Sequence, residues 1–108
     1  MIFYVHKVCD TAALRAEGLQ FCEIGTRDCC LFIYPTRLSP TFWGKNTPQD
    51  LWVSLIDEGI VIDCKKIRAF DLTPVSLDGR GDMAVETRVP LNIGAEFILG
   101  EDMTVMVG

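Results

Sequence analysis

One histidine, no Cys-x-x-Cys pair and no excess of positive charge mark this sequence, and each absence narrows what the chain can do. His6 is the sole imidazole, so any Ser–His or Cys–His pair built here must take its general base from that one position. No nucleophile elbow and no glycine-rich oxyanion motif accompanies Ser39, Ser54, Ser76 or any cysteine. His6 and Cys9 make a His-x-x-Cys spacing, but residues three apart in a strand point to opposite faces, and no second ligand pair exists. Neither the G-x-G-x-x-G nor the G-x-x-x-x-G-K-[ST] pattern occurs, which excludes nucleotide binding in those two styles.

Ten basic residues stand against fifteen acidic ones, a net charge of −5, so affinity for many phosphates is not expected and nucleic acid is an unfavoured partner. The longest uninterrupted apolar run, Cys29–Tyr34, is far too short for a membrane span. The opening Met1-Ile-Phe-Tyr-Val-His-Lys lacks the basic start and apolar stretch of a secretion signal. These features predict a soluble, cytoplasmic chain with no membrane contact.

What is present is a hydrophobic fraction of 49% over 108 residues, enough for one small domain spanning 1–108 and too apolar for a disordered tail. The charge is uneven: residues 1–54 carry five of each sign, while residues 55–108 carry ten acids and five bases. An acidic half suits solubility or a basic protein partner. Five cysteines (Cys9, Cys22, Cys29, Cys30, Cys64) are an odd number among apolar neighbours, which predicts buried reduced thiols and no disulfides.

The pattern predicts an α+β fold, mainly antiparallel, with about seven short strands and two short helices. Ile2–Val8 is β-branched and aromatic and reads as a strand. Thr11 or Asp10 can cap a helix over 11–17, with Gly18 as its stop. Leu19–Ile24 and Cys29–Tyr34 flank Gly25-Thr-Arg-Asp28 and read as a hairpin. Thr47-Pro48-Gln49-Asp50 has the form of a helix start, and Leu51, Trp52, Leu55 and Ile56 then share one helical face. A helix over 48–58 with Trp52 in the core is therefore expected. Ile60–Cys64 and Ile67–Leu72 read as strands, as do Met83–Val89, Ala95–Leu99 and Met103–Val107, the last two as antiparallel neighbours.

Residues 35–46 carry Pro35 and Pro40 and read as a long irregular loop. Its Arg37, Phe42 and Trp43 are the candidate protein-binding residues, because arginine and tryptophan dominate binding hot spots. The alternative is that Phe42 and Trp43 fold back into the core. Lys65-Lys66-x-Arg68, the one basic cluster, reads as a solvated edge.

Ile93–Val107, with Gly94, Gly100, Asp102, Val105 and Val107, resembles the first hairpin of the carbon storage regulator family of RNA-binding dimers. Ser76-Leu-Asp-Gly79 followed by Met83–Leu99 is similar to the middle of cyclic-dinucleotide-binding PilZ domains. Two unrelated families matching one segment identify a generic strand–glycine–strand pattern, and no functional residue is carried over from either.

The function expected from the residues is a non-catalytic, acidic binding or regulatory protein acting through protein–protein contacts, as an inhibitor or an assembly subunit. No catalytic residue, metal or cofactor is assigned, and the expected partner is a protein, a second copy of the chain included. One alternative is a small β-barrel regulator binding RNA or a cyclic nucleotide messenger. Another is a thiol-dependent enzyme of unrecognised type.

Overall fold

Alternation with a period of two organises the chain. In Gly81–Thr87, Ala84 and Glu86 take one face of a strand, while Val85 takes the other with the half-buried Met83. In Leu51–Asp57, Leu51, Val53 and Leu55 share a face. The computed structural model describes residues 1–108. It contains β1 (Ile2–Cys9), α1 (Ala12–Glu17), β2 (Asp28–Leu38), β3 (Thr41–Phe42), β4 (Leu51–Asp57), β5 (Ile60–Ile67), β6 (Val75–Ser76), β7 (Gly81–Thr87), β8 (Phe97–Leu99) and β9 (Thr104–Val107).

Seven strands form one mixed sheet in the order β5-β4-β7-β2-β1-β9-β8, and β3 pairs with β6 in a separate two-stranded ladder. Within the large sheet β1 and β2 run parallel and the other neighbours antiparallel. A parallel pair cannot be joined by a tight turn, so the chain between β1 and β2 must cross one face of the sheet. It does so through α1, capped where the Thr11 hydroxyl accepts from Leu14 N–H (3.2 Å) and ended by Gly18 at φ 51°. Beyond that glycine, Leu19 and Ile24 plunge into the core.

The sheet curls into a half-barrel whose two edges meet at one bridge, Ile60 opposite Glu96. Three backbone hydrogen bonds frame that bridge: Val61 N–H to Ala95 O (2.9 Å), Gly94 N–H to Val61 O (2.7 Å) and Phe97 N–H to Gly59 O (2.8 Å). Inside the curl lie Phe3, Leu31, Ile56, Val61, Val85, Phe97 and Val105. The opposite face carries Cys30, Phe32, Val53, Leu55, Ile67 and Ala84 under a cover of Leu19, Ile24 and Leu77. Both faces of the central strands are therefore dry. In β1 the register shifts between Val5 and Lys7, so Phe3 and Val5 pack inside the curl while Cys9 packs on the covered face.

The expected helix over 48–58 is instead β4, and the reason lies in what its capping residues hold. Asp50 accepts from Ala69 N–H (2.9 Å), and Thr47 donates to Lys45 O (3.1 Å). Gln49 brackets Ile24, accepting from its N–H (2.8 Å) and donating to its carbonyl (3.0 Å). The Thr47 hydroxyl turns back to Lys45, Gln49 and Asp50 are spent on distant chain, and Leu51, Val53 and Leu55 fit a strand as well as a helix face. Trp52 is consequently half-buried rather than central.

Leu19–Ile24 forms no strand and no hairpin with β2: turn bonds of Gln20 to Glu17 O and Cys22 to Leu19 O, a bond of Phe21 N–H to Asn46 O and the Gln49 bracket on Ile24 replace a ladder. Residues 35–46 are more regular than expected, since β2 continues to Leu38 and β3 follows. Pro35 falls where β2–β7 pairing is interrupted, between Ile33 and Leu38, so its missing N–H breaks no ladder. The segment 67–72 forms no strand of its own: Ile67 ends β5, and Phe70 stands exposed at φ 60°.

Gly81 opens β7 against β4, where an added Cβ would overlap the carbonyl oxygen of Ile56. Gly81→Ala is expected to destabilise by about 1–3 kcal/mol, the range for forced overpacking. Urea unfolding measures it, and an unchanged midpoint would remove the close approach.

Candidate functional site

The crossover that β1 and β2 require leaves a gap on the covered face. Gly18 and Leu19 form one bank, and the corner from Leu38 to Phe42 with the following turn to Thr47 forms the other. Between them opens a cleft of about 320 Å³. Phe32, Tyr34, Phe42 and Trp43 line it, Arg15, Glu17 and Lys45 border it, and Glu86 lies at its floor.

The aromatic wall is fixed by packing. Phe42 meets Phe32 edge to face, with ring centroids 5.1 Å apart at 78°. The Arg15 guanidinium lies 5.6 Å from the Tyr34 ring centre and donates to Ile33 O at 2.9 Å. Lys45 lies 5.3 Å over the Trp43 ring, which remains 45% exposed. The turn after Trp43 is held by Gly44, whose N–H donates to Asp71 O (2.7 Å) and whose added Cβ would overlap Arg68 O. Burial raises the Tyr34 phenol above its usual range, so it stays neutral.

Glu86 is the anomaly. It sits on β7 between Cys30 of β2 and Val53 of β4, is 5% exposed, and its Oε1 has no hydrogen-bond partner. The other buried acid, Asp63, accepts from the N–H of Cys64 (2.8 Å) and of Asp78 (2.7 Å). A Cβ at Gly18 would stand 3.4 Å from the Phe32 ring and 3.9 Å from Glu86 Oε1, so the glycine packs closely over a carboxyl oxygen that is itself shielded from water. Burial, and secondarily the neighbouring Cys9, push the Glu86 pKa up to about 8, with Lys7 acting against them. The site thus offers a neutral carboxyl in a dry floor, aromatic faces above it and two cations at the mouth. Neither cation has a carboxylate partner: Lys7 holds Glu17 (2.6 Å), and Arg15 and Lys45 make no ion pair.

Of the residues singled out from the sequence, Phe42 and Trp43 line the cleft and Arg37 does not. Arg37 extends from β2 and forks onto Asp57, at 2.8 Å and 2.6 Å, which raises the pKa of the guanidinium further. Phe42 is packed against the core and Trp43 is not, so the two alternatives for that loop divide between neighbours. In the basic cluster Lys65 meets Asp78 (3.3 Å) and Lys66 meets Asp50 (3.6 Å) at the solvated surface of β5.

All five cysteines are free thiols. Cys9 and Cys30 lie 3.7 Å apart beneath the cleft, and that contact together with burial raises the pKa of Cys30. Cys22 comes within 3.4 Å of His6 Nε2, yet neither residue lines the cleft. Glu86, Arg15, Lys45 and Gly18 were not anticipated as site residues. For Glu86 a signal existed: an acid inside the apolar strand Met83–Val89, flanked by Val85 and Thr87.

No protein-family model and no curated protein matches the chain. Two solved structures share its fold. One is a protein of unknown function from Novosphingobium aromaticivorans DSM 12444, at TM-score 0.72 and 25% identity, with 79% of this chain and 62% of that chain covered. The other is a candidate transcription regulator from Sinorhizobium meliloti 1021, at TM-score 0.72 and 16% identity, with 77% and 66% covered. The chain thus spans less than two thirds of the length of each protein it resembles.

Two outcomes follow from this geometry. The unfolded Glu86 releases its proton near 4.5 and the native one near 8, so the native state binds the extra proton between them. Stability should therefore fall as pH rises through that window, by at most about 1.4 kcal/mol per pH unit. Glu86→Gln should flatten this fall, and parallel wild-type and variant melting curves from pH 5 to 8 would contradict the buried carboxyl. The second outcome separates the aromatic neighbours. Phe42→Ala should cost about 2–3 kcal/mol, below the full truncation range because Phe42 is only half-buried. Trp43→Ala should leave the melting temperature within error of wild type.

Proposed function

We propose that this chain is a non-catalytic regulatory module that binds a small organic molecule in the cleft and acts through protein partners. The observation that carries the reading is the unpartnered carboxyl of Glu86 at the floor. A buried polar group left unmatched destabilises a fold by about 1–3 kcal/mol, and its persistence at an open cleft fits a ligand that completes it. The groups around it are recognition groups: aromatic faces, two cations and one acceptor. The other carboxylate at the cleft, Glu17, is held by Lys7, so no pair of acids converges for hydrolysis.

The protein-contact half of the reading is supported by the outer surface of β1, β9 and β8. Ile2, Met106 and Ile98 are direct cross-strand neighbours there, and each is more than half exposed. Scattered apolar residues are ordinary on a surface, whereas a contiguous row of them suits contact with another chain. No helix of the chain is long and apolar enough to cross a membrane. Five free thiols accord with a reducing cytoplasm.

A survey of small aromatic fragments by amide NMR on the whole chain tests the cleft. Fragments that bind are expected to shift Gly18, Lys45 and the Trp43 indole N–H together, and to raise the melting temperature. At one hundred times the dissociation constant the stabilisation should be about 2.7 kcal/mol. A survey in which no fragment moves these three signals would defeat the reading.

A further inference from the structure

The cleft makes different chemical demands at different depths. At the floor Glu86 Oε1 needs a donor, and either protonation state of the carboxyl keeps an acceptor oxygen for it. Higher up, the rings of Tyr34, Phe42 and Trp43 offer faces and edges that suit a flat apolar body. At the mouth Arg15 and Lys45 are cations without carboxylate partners, on a protein whose net charge is −5. The cleft, about 320 Å³, falls at the small end of ligand pockets, which run about 300–1,000 Å³.

On the reading that the cleft is a binding site, we infer that its ligand is a one-ring aromatic carboxylic acid bearing an O–H or N–H donor on the ring, opposite the carboxylate. The ring donor reaches Glu86, the ring lies among the aromatic side chains, and the carboxylate stays at the mouth with Arg15 and Lys45. Other classes leave one demand unmet. An aliphatic hydroxy acid meets Glu86 and the cations but brings no ring to the aromatic wall, and an aralkylamine brings a cation to the two cations at the mouth. A nucleotide or polyphosphate would set several negative charges above a carboxyl, with two cations to meet them.

Three probes separate these demands: 4-hydroxyphenylacetate, phenylacetate without the ring donor, and tyramine with a cation in place of the carboxylate. Each is titrated into the labelled whole chain while Gly18 and the Trp43 indole are followed by NMR. 4-Hydroxyphenylacetate should bind tightest. Phenylacetate should bind at least about tenfold more weakly, since a site that hydrogen-bonds a hydroxyl rejects the analogue lacking it. Tyramine should be weaker by a similar factor, and Lys45→Ala should weaken the hydroxy acid without weakening tyramine. Glu86→Gln keeps an acceptor and should preserve the preference for the hydroxyl, whereas Glu86→Leu should erase it.

Phenylacetate within threefold of the hydroxy acid, or tyramine at least as tight, overturns the inferred class. So does silence from all three probes while other fragments move Gly18 and Trp43, an outcome that leaves the cleft itself standing. Silence from every fragment overturns the class and the cleft together.

Discussion

The parallel pairing of β1 with β2 is the constraint from which the rest of the molecule follows. Antiparallel neighbours can be joined by a few residues, but a parallel pair obliges the chain to travel back across a face of the sheet. That return path is α1 and the irregular stretch behind it, and it covers what would otherwise be an open apolar face. Leu19 and Ile24 come from this path, and so does Gly18 at the bank of the cleft. Fold and site therefore share one origin: the cleft lies where the return path and the β2–β3 corner face each other across the sheet.

Two-sided burial then decides the energetics. A strand with one wet face can place an acid outward at little cost, but β7 has no wet face along Ala84–Thr87. Ala84 and Val85 are matched by apolar neighbours, and Thr87 donates to Val89 O (2.7 Å). Glu86 is the residue on this strand whose polar atom is left without a match. The buried Ser54 hydroxyl also lacks a partner, but it does not line the cleft. The difference between the two is position: the Glu86 side chain lines the cleft, although neither atom meets water.

Local signals in the sequence reported local structure faithfully. The Thr11 cap, the Gly18 stop and the last hairpin all rest on contacts a few residues apart, and all stand near their expected positions. The expected second helix rested on residues of the same local kind, yet those residues bond to Ile24 and Ala69, some twenty positions away. Spacing cannot announce such partners. The parallel pairing and the two-sided cover are likewise properties of topology, which period-two patterns leave open. For the site, Phe42 and Trp43 were legible from their type and from a proline-marked corner. Arg37 has the same type and setting but forks onto Asp57, a partner that spacing does not announce, and Glu86 is legible in principle as an acid within an apolar strand.

The lone bridge between Ile60 and Glu96 gives the half-barrel a seam. Elsewhere each strand is stitched to its neighbour along a ladder, so opening it breaks several hydrogen bonds cooperatively. At the seam a handful of bonds around one residue pair hold two edges together. Thermal breathing of the molecule should therefore begin there, and amide exchange at Val61, Gly94 and Phe97 should run ahead of exchange in β2, β4 and β7. The cleft lies over those slower central strands, so the protein can flex along its seam while the floor beneath Glu86 keeps its shape.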